Sequence, residues 1–229
     1  MKTYRKHTLL SITILFVTTL FVGCSNDKDK IASLVEQKEF NEAHTRLSKL
    51  QPNEKATPEM VSLAARVDFG LLIDSARYYL DHGEYYKAFV CATRADKIAP
   101  LSGDGMDLLN GARKRMLSGV WVGSADIGKR KVTLKLNALT SSTFEGTAFF
   151  SKAEYESDIT GGFFDGKELS ATLVYRFKRY LNGPNVPYFV DSFQTTLTGT
   201  IEDGVLKLTL PNGNSGSRWT LQKQDSQRK

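Results

Sequence analysis

Few side chains in this chain belong to the types that perform covalent or metal chemistry. The sequence contains two cysteines, Cys24 and Cys91, and three histidines, His7, His44 and His82. Zinc sites and disulfide scaffolds gather several such residues, so neither class of site is expected. We therefore expect no metal and no cofactor.

Acid–base and nucleophilic chemistry has equally little support. A Ser–His–Asp or Cys–His arrangement would need His44 or His82, and both lie in the predicted helical part of the chain. Because the predicted β part has no histidine, a site that uses its residues would have to be built across two domains. Glu154, Glu156 and Asp158 alternate along one segment, and glycosidases use carboxylates in pairs. An exposed strand face explains the same spacing, and we favour it. The chain is therefore predicted not to be an enzyme.

The net charge argues against nucleic acid as a partner. The chain has 229 residues, with 31 basic and 25 acidic side chains and a formal charge of +6. Lys2, Arg5 and Lys6 belong to an N-terminal leader, and without them 28 basic residues face 25 acidic ones. That excess is too small for a nucleic-acid-binding surface. With 41% hydrophobic and 24% charged residues, the composition is that of a globular protein.

The N-terminal segment has the features of an export signal. Residues 1–7 are basic, and 15 uncharged, largely apolar residues follow from Thr8 to Val22. As a helix these residues span about 22 Å, which is shorter than the hydrocarbon core of a bilayer at about 30 Å. Leu20-Phe21-Val22-Gly23-Cys24 resembles the lipobox of bacterial lipoproteins.

The lipobox resemblance implies that residues 1–23 are removed and that Cys24 becomes a lipidated N-terminus. Two or more acyl chains hold a protein firmly to a membrane. Ser25 implies the outer membrane, on its periplasmic face or at the cell surface, and residues 24–30 form a tether. This tether resembles in part the acidic segment that directs some lipoproteins to the cell surface. Because Lys28 interrupts the acidic residues, the alternative is that residues 24–30 are only a solvated linker.

Residues 31–118 are predicted to be helical. Apolar residues recur at helical spacing from Ile31, which predicts two short helices joined near residues 37–39. Thr57 as N-cap and Pro58 at the first helical position begin a long helix that ends at about Asp81. A closing helix is expected over about 103–116.

The strongest motif of the helical part lies between residues 72 and 100. Gly83 supplies a left-handed turn between two antiparallel helices, and Pro100 ends the second helix. The order of residue types resembles the tetratricopeptide repeat, although Ala92 stands where the repeat usually has an aromatic residue. The matching residues are Leu72, Ala76, Tyr79, Gly83, Tyr85, Ala88, Ala95 and Pro100.

The repeat resemblance implies a groove that binds a protein partner of the cell envelope. It assigns the groove positions to Ile73, Arg77, Leu80 and Asp81. Arg77 and Asp81 also fit an i,i+4 pair on a solvated face, and a generic helical bundle is the alternative fold. Cys91, in the second helix, is predicted to be a small buried hydrophobic residue.

Residues 119–223 change to a period of two, which is typical of strands. Eight strands on short connections form a meander, and such a sheet closes into an up-and-down barrel or forms an equivalent sandwich. The predicted strands are 120–125, 131–138, 143–150, 157–163, 169–177, 188–201, 205–210 and 217–222. Residues 224–229 form a polar tail. The expected fold is thus a two-domain α+β chain.

The entry to the β domain is similar in architecture to that of lipocalins. Gly119-Val120-Trp121 and Arg218 stand where lipocalins place a tryptophan and a late arginine that covers it. This resemblance raises the alternative of a carrier for a small apolar ligand. Inward residues such as Leu173 and Phe193 would fill the barrel, whereas Gly146 and Gly199 would leave a pocket at one end.

Two basic clusters stand near predicted turns, Lys129-Arg130-Lys131 and Arg176 with Lys178-Arg179. Tyr180 and Tyr188 flank the loop after the second cluster. Aromatic residues beside cations bind sugars or anionic headgroups. Arg179, Tyr180 and Tyr188 therefore form a candidate ligand or glycan surface, with a solvated rim as the alternative.

These patterns together predict a non-catalytic, lipid-anchored lipoprotein of the cell envelope. Its helical repeats would dock a protein partner, and its β domain would form a second binding or assembly surface. The alternatives are a carrier of a small apolar ligand and a glycan-binding surface lipoprotein.

Overall fold

A computed structural model describes residues 27–126, 129–151, 156–180, 188–211 and 216–224. Helices come first along the chain and strands follow. The helices are α1 (27–36), α2 (Phe40–Lys49), α3 (Pro52–Lys55), α4 (Pro58–Asp81), α5 (Tyr85–Ile98) and α6 (Asp104–Leu117). The strands are β1 (Gly119–Ala125), β2 (Lys131–Ala138), β3 (Thr143–Phe150), β4 (Ser157–Phe164), β5 (Glu168–Tyr180), β6 (Tyr188–Glu202), β7 (Val205–Leu210) and β8 (Ser217–Lys223).

The chain divides into two compact units. The first contains residues up to Ser75 together with Arg94–Leu101, and the second contains Ala76–Thr93 and Ser102–Lys229. The boundary falls inside the helical segment, so α4 and α5 each contribute residues to both units.

The first unit has a core of aliphatic residues on α1, α2 and α4. The α1 helix is tied to α4 by the ion pairs Lys28–Glu59 and Arg66–Glu36. Close packing between α2 and α4 depends on Gly70, because a methyl group there would lie 2.4 Å from the Phe40 ring. The buried residues of this core are Ile31, Val35, Ala43, Leu47, Met60, Leu63 and Val67.

The turn between α4 and α5 has the geometry that the sequence predicts. Gly83 has a φ of 78°, in the left-handed region that favours glycine. The Glu84 amide donates to the Tyr79 carbonyl at 2.8 Å, which satisfies an acceptor at the end of α4. Ala76 and Ala88 are both 1% exposed, so small residues occupy buried positions on either side of the turn.

The eight strands form a closed antiparallel barrel in which each strand pairs with the next and β1 pairs with β8. The prediction of a barrel is therefore confirmed, and a sandwich is excluded. The bounds of β2, β3 and β7 match the predicted strands. A four-residue helix, α3, was not predicted between Pro52 and Pro58.

The barrel core consists of side chains from alternate positions of all eight strands. Trp121 and Phe164 are fully buried and Trp219 is 2% exposed. Barrels of eight strands have an interior just wide enough for side chains to fill. The other large core residues are Leu134, Leu136, Phe144, Phe150, Ile159, Leu169, Leu173, Leu197, Ile201, Leu206, Leu208 and Leu221.

Phe193 is the exception, because it has the predicted inward phase but is not buried in the core. Its side chain is 50% exposed, although it has the same phase as the buried Leu197. Strand β6 pairs with β7 only from Thr198 to Glu202, and β5 pairs with β4 only up to Val174. At Phe193 the pairings with β4 and β7 have ended. Its ring contacts that of Tyr175 on β5, with 5.4 Å between centroids, but half of the residue is left exposed.

The connections of an antiparallel barrel alternate between its two ends. We call the end with the β2–β3, β4–β5 and β6–β7 turns the proximal end, and the opposite end the distal end. Phe89 of α5 approaches Gly166 in the proximal β4–β5 turn. Side chains of α5 and α6 pack on the barrel core. These side chains, which we call the helical cap, are Tyr85, Tyr86, Phe89, Met116 and Leu117.

Candidate functional site

The predicted groove positions on α4 differ in exposure. Arg77 and Asp81 are exposed, whereas Ile73 is half-buried. Leu80 is half-buried too, and its Cδ2 lies 3.6 Å from the point that a methyl group on Gly111 would occupy. Leu80 therefore lies against α6, which leaves Arg77 and Asp81 as the charged groups accessible to a partner.

Two aromatic side chains that were not predicted as site residues stand beside these charges. Tyr78 is 56% exposed, and its ring is stacked on that of His82 with 4.0 Å between centroids. His82 Nδ1 lies 2.7 Å from the Tyr78 carbonyl oxygen, a distance at which a protonated Nδ1 donates a hydrogen bond to it. We call Arg77, Tyr78, Asp81 and His82 the α4 face.

The spacing of the α4 face follows from helix geometry. Residues three and four apart on a helix are neighbours, so Tyr78, Asp81 and His82 lie on one side. The sequence contains this spacing, but a tyrosine in an apolar helix is more often a core residue. Nothing in the sequence indicates that Tyr78 is exposed.

A cleft of about 460 Å³ lies at the proximal end of the barrel. It is formed by the α4–α5 turn, the end of α6, the start of β1, the β6–β7 turn and the end of β8. Its lining residues are Gly83, Glu84, Tyr85, Tyr86, Lys87, Met116, Trp121, Asp203, Gly204 and Lys223.

Lys223 is the central cation of this cleft. Its Nζ lies 5.1 Å from the centre of the Tyr85 ring and 5.8 Å from that of Trp121. The same ammonium donates hydrogen bonds to the carbonyl oxygens of Arg115 and Met116 in the last turn of α6. Two aromatic faces and the negative end of the helix dipole therefore stabilise the charge.

Lys223 takes the place that the sequence assigns to Arg218. Arg218 is exposed, because it alternates with the inward residues Trp219 and Leu221 and so lies on the outer face of β8. Lys223 shares their inward phase and covers Trp121, whose Nε1 donates to the Leu117 carbonyl at 2.9 Å. The expectation that Arg218 covers the tryptophan is wrong, and strand phase could have corrected it.

An ion pair lies at the rim of the cleft. Lys87 is paired with Glu84, and its Nζ lies 5.3 Å from the centre of the Tyr79 ring. The hydrogen bond from Lys87 to Glu84, and then the charge of that carboxylate, raises the pKa of Lys87. With two aromatic walls and both signs of charge, the cleft can bind a small amphipathic group or a side chain of another protein.

The alternating carboxylates are neutralised by cations wherever the structure describes them. Asp158 is paired with Arg176, and Glu156 lies 3.8 Å from Lys135. Glu154 lies outside the described residues. Between residues 27 and 224, wherever placement is described, no group of three His, Cys, Asp or Glu side chains could hold a metal ion. Cys91 is half-buried.

The proposed glycan surface is described only through its backbone. Tyr180 and Tyr188 are directly opposite in the β5–β6 register, and Arg179 is opposite Phe189. Their side chains lie outside the described part of the structure, as does the whole of Cys24.

None of the described helices is both long enough and apolar enough to cross a bilayer. Comparisons with protein-family models, with curated proteins and with solved structures found no match to this chain.

Proposed function

We propose that this chain is a non-catalytic lipoprotein of the cell envelope, anchored in the outer membrane through acyl chains on Cys24. Its helical hairpin docks an envelope protein through the α4 face, and its barrel provides a second binding or assembly surface.

The exposed, pre-positioned Tyr78 ring is the observation that carries the docking proposal. Stacking on His82 holds this ring in one orientation at the surface, so little side-chain entropy is lost when a partner covers it. Tyrosine and arginine are enriched among residues that dominate the binding energy of protein interfaces. Arg77 and Asp81 beside the ring add charges of both signs, which favours a protein partner over a small apolar molecule.

The hairpin geometry supports a tetratricopeptide-like role for this region. Gly83 adopts the left-handed conformation, and Ala76, Ala88 and Ala92 are at most 1% exposed. Small residues at positions 76 and 88 allow two helices to approach closely, as in the repeat family, whereas Ala92 departs from the usual aromatic residue of the repeat.

A site-specific cross-link tests the docking proposal. A photo-reactive amino acid in place of Tyr78 should give one discrete adduct in living cells, and Arg77→Glu in the same chain should weaken it. The same group at Asn137, which is exposed on β2, serves as the control. Equal adducts from both positions, or none from position 78, would contradict the proposal.

The anchor is tested separately. Cys24→Ser should remove the acyl mass from the mature protein and shift it from the detergent phase to the aqueous phase. An unchanged mass and an unchanged partition would contradict a lipid anchor without bearing on the docking surface.

The proximal cleft favours one alternative, a carrier of a small ligand. Because the barrel interior is occupied by residues such as Trp121, Phe144 and Trp219, a ligand would bind in the cleft, against the exposed sides of Tyr85 and Lys223. Native mass spectrometry of the mature chain should then show a reproducible added mass that Tyr85→Ala removes.

A further inference from the structure

The two basic clusters of the sequence lie at the same end of the barrel. Lys129, Arg130 and Lys131 are exposed; the first two belong to the β1–β2 connection and Lys131 begins β2. The second cluster, Arg176, Lys178 and Arg179, lies where β5 approaches the β5–β6 connection. In a closed antiparallel meander both connections are at the distal end, opposite the helical cap.

A two-stranded ribbon extends the barrel at this distal end. Residues 175–180 of β5 and 188–193 of β6 pair only with each other among the described strands, in six consecutive register pairs from Tyr175↔Phe193 to Tyr180↔Tyr188. Six pairs correspond to a length of about 20 Å. Tyr175 at the base of the ribbon packs on the barrel core, and its ring lies 5.6 Å from that of Phe150. A two-stranded ribbon by itself is marginally stable in water, so the part beyond this base gains from contact with another surface.

The composition of this β5–β6 ribbon differs from that of the rest of the chain. Six of its twelve residues are aromatic, against 10% in the whole sequence. It has three cations and one acid, Asp191. The aromatic residues are Tyr175, Phe177, Tyr180, Tyr188, Phe189 and Phe193. Phe193 is 50% exposed.

Acidic residues near the distal end already have partners within the protein. Asp158 is paired with Arg176, and Glu156 with Lys135. The Asp126 carboxylate accepts hydrogen bonds from the Arg218 amide at 2.8 Å and from the Ser217 hydroxyl at 3.3 Å. Residues 126–131 and the ribbon together contain six cations and two acids, Asp126 and Asp191, so this part of the distal end has an excess of basic residues even though Arg176 is paired.

We propose that the distal end of the barrel, formed by the β5–β6 ribbon and residues 129–131, docks on the surface of an anionic lipid bilayer. Tyrosine and related aromatic residues concentrate at the headgroup level of membranes, and lysine and arginine are attracted to anionic headgroups. The small net charge and the high aromatic fraction disfavour a nucleic acid, whose binding depends on many phosphate contacts. A neutral glycan would leave the cations without a role. This inference needs no lipid on Cys24.

Vesicle binding by the unacylated chain tests the inference. The chain from Ser25 contains every described residue, and it should sediment with vesicles of phosphatidylcholine mixed with phosphatidylglycerol but not with vesicles of phosphatidylcholine alone. Near an anionic surface each cation contributes a factor of about five, so Lys178→Glu with Arg179→Glu should weaken binding by at least about 25-fold. Salt at about 1 M should abolish most of the binding, because the Debye length falls to about 3 Å.

The control reverses two exposed cations elsewhere. Arg94→Glu with Lys97→Glu on α5 makes the same change in net charge, and it should leave vesicle binding nearly unchanged. Equal weakening by both pairs would show a non-specific charge effect and overturn the proposal. So would binding to both vesicle types alike, or binding to a neutral sugar array with none to vesicles. Because Cys24 is absent, failure here would not count against the anchor or the α4 face.

Discussion

Lys223→Met removes the ammonium that joins the last strand of the barrel to the end of α6. Methionine keeps most of the aliphatic stem, so the packing of that stem on Trp121 is largely retained. What is lost is the pair of hydrogen bonds to the Arg115 and Met116 carbonyls and the contact with the Tyr85 and Trp121 rings.

The expected loss of stability is about 2 kcal/mol. Hydrogen bonds to a charged group contribute about 1.5–3 kcal/mol, a cation at a helix C-terminus about 0.3–1 kcal/mol, and a cation over an aromatic face about 0.5–1 kcal/mol. These contributions overlap and Lys223 is half-buried, so the sum is reduced toward the lower values. For a unit of this size, 2 kcal/mol lowers the Tm by about 4–8 °C.

Unfolding in guanidinium, followed by tryptophan fluorescence, measures this loss directly. The chain has two tryptophans, Trp121 and Trp219, and both lie in the barrel core. Lys207→Met is the control, because this lysine is 59% exposed and lies 3.4 Å from Glu202; it should change stability by less than about 0.5 kcal/mol. If Lys223→Met shifts the midpoint no more than Lys207→Met, the proposed role of Lys223 is wrong.

Two further predictions concern the close contact of Gly166 with Phe89 and the ion pair of Lys28 with Glu59. Gly166→Ala places a methyl group 2.5 Å from the Phe89 ring, at a residue whose φ is 111°. The control is Gly204→Ala, because Gly204 also has a positive φ but has no atom within 4 Å of the added carbon. Gly166→Ala should destabilise the barrel by about 1–3 kcal/mol more than this control. Similar losses in the two variants would rule out the contact with the helical cap. In the first unit, a hydrogen bond from Lys28, and then its charge, lowers the pKa of Glu59 below the ordinary 4.5. Lys28→Met should return the pKa of Glu59 to that value in an NMR titration, with Lys30→Met as the control. Because the pKa of Glu59 is lower in the folded state than in the unfolded state, any stabilisation from this pair is present above pH 4.5 and is lost as the pH falls through the folded-state pKa. An unchanged titration of Glu59 in Lys28→Met would contradict the role of Lys28.

The barrel was largely predictable because the pleat of a strand imposes a period of two on the sequence. Every second residue of 131–138 is buried, from Val132 to Ala138, and β2 has the predicted bounds. Alternation gives the phase of a side chain but not the number of neighbouring strands. For that reason the sequence predicted an inward Phe193, whereas the ribbon leaves it exposed.

The candidate site was predictable only in part. The left-handed turn at Gly83 and the accessible charges of Arg77 and Asp81 follow from motif and helical spacing. Exposure of Tyr78 and the position of Lys223 over Tyr85 depend on contacts between residues distant in sequence, which periodicity does not encode. The division into two compact units is equally hard to foresee. The helical cap belongs to the same unit as the barrel, although sequence patterns assign its residues to the helical part.

The pairing of β1 with β8 sets an order of events for folding. Trp121 is aligned with Lys223, so the ring of strands cannot close until β8 has been synthesised as far as Lys223. Until then β1 and β7 present open edges on which another copy could add a strand. A chain that stops before Ser217 would therefore lose more than one strand's contacts, and we expect it to aggregate rather than to form a smaller barrel.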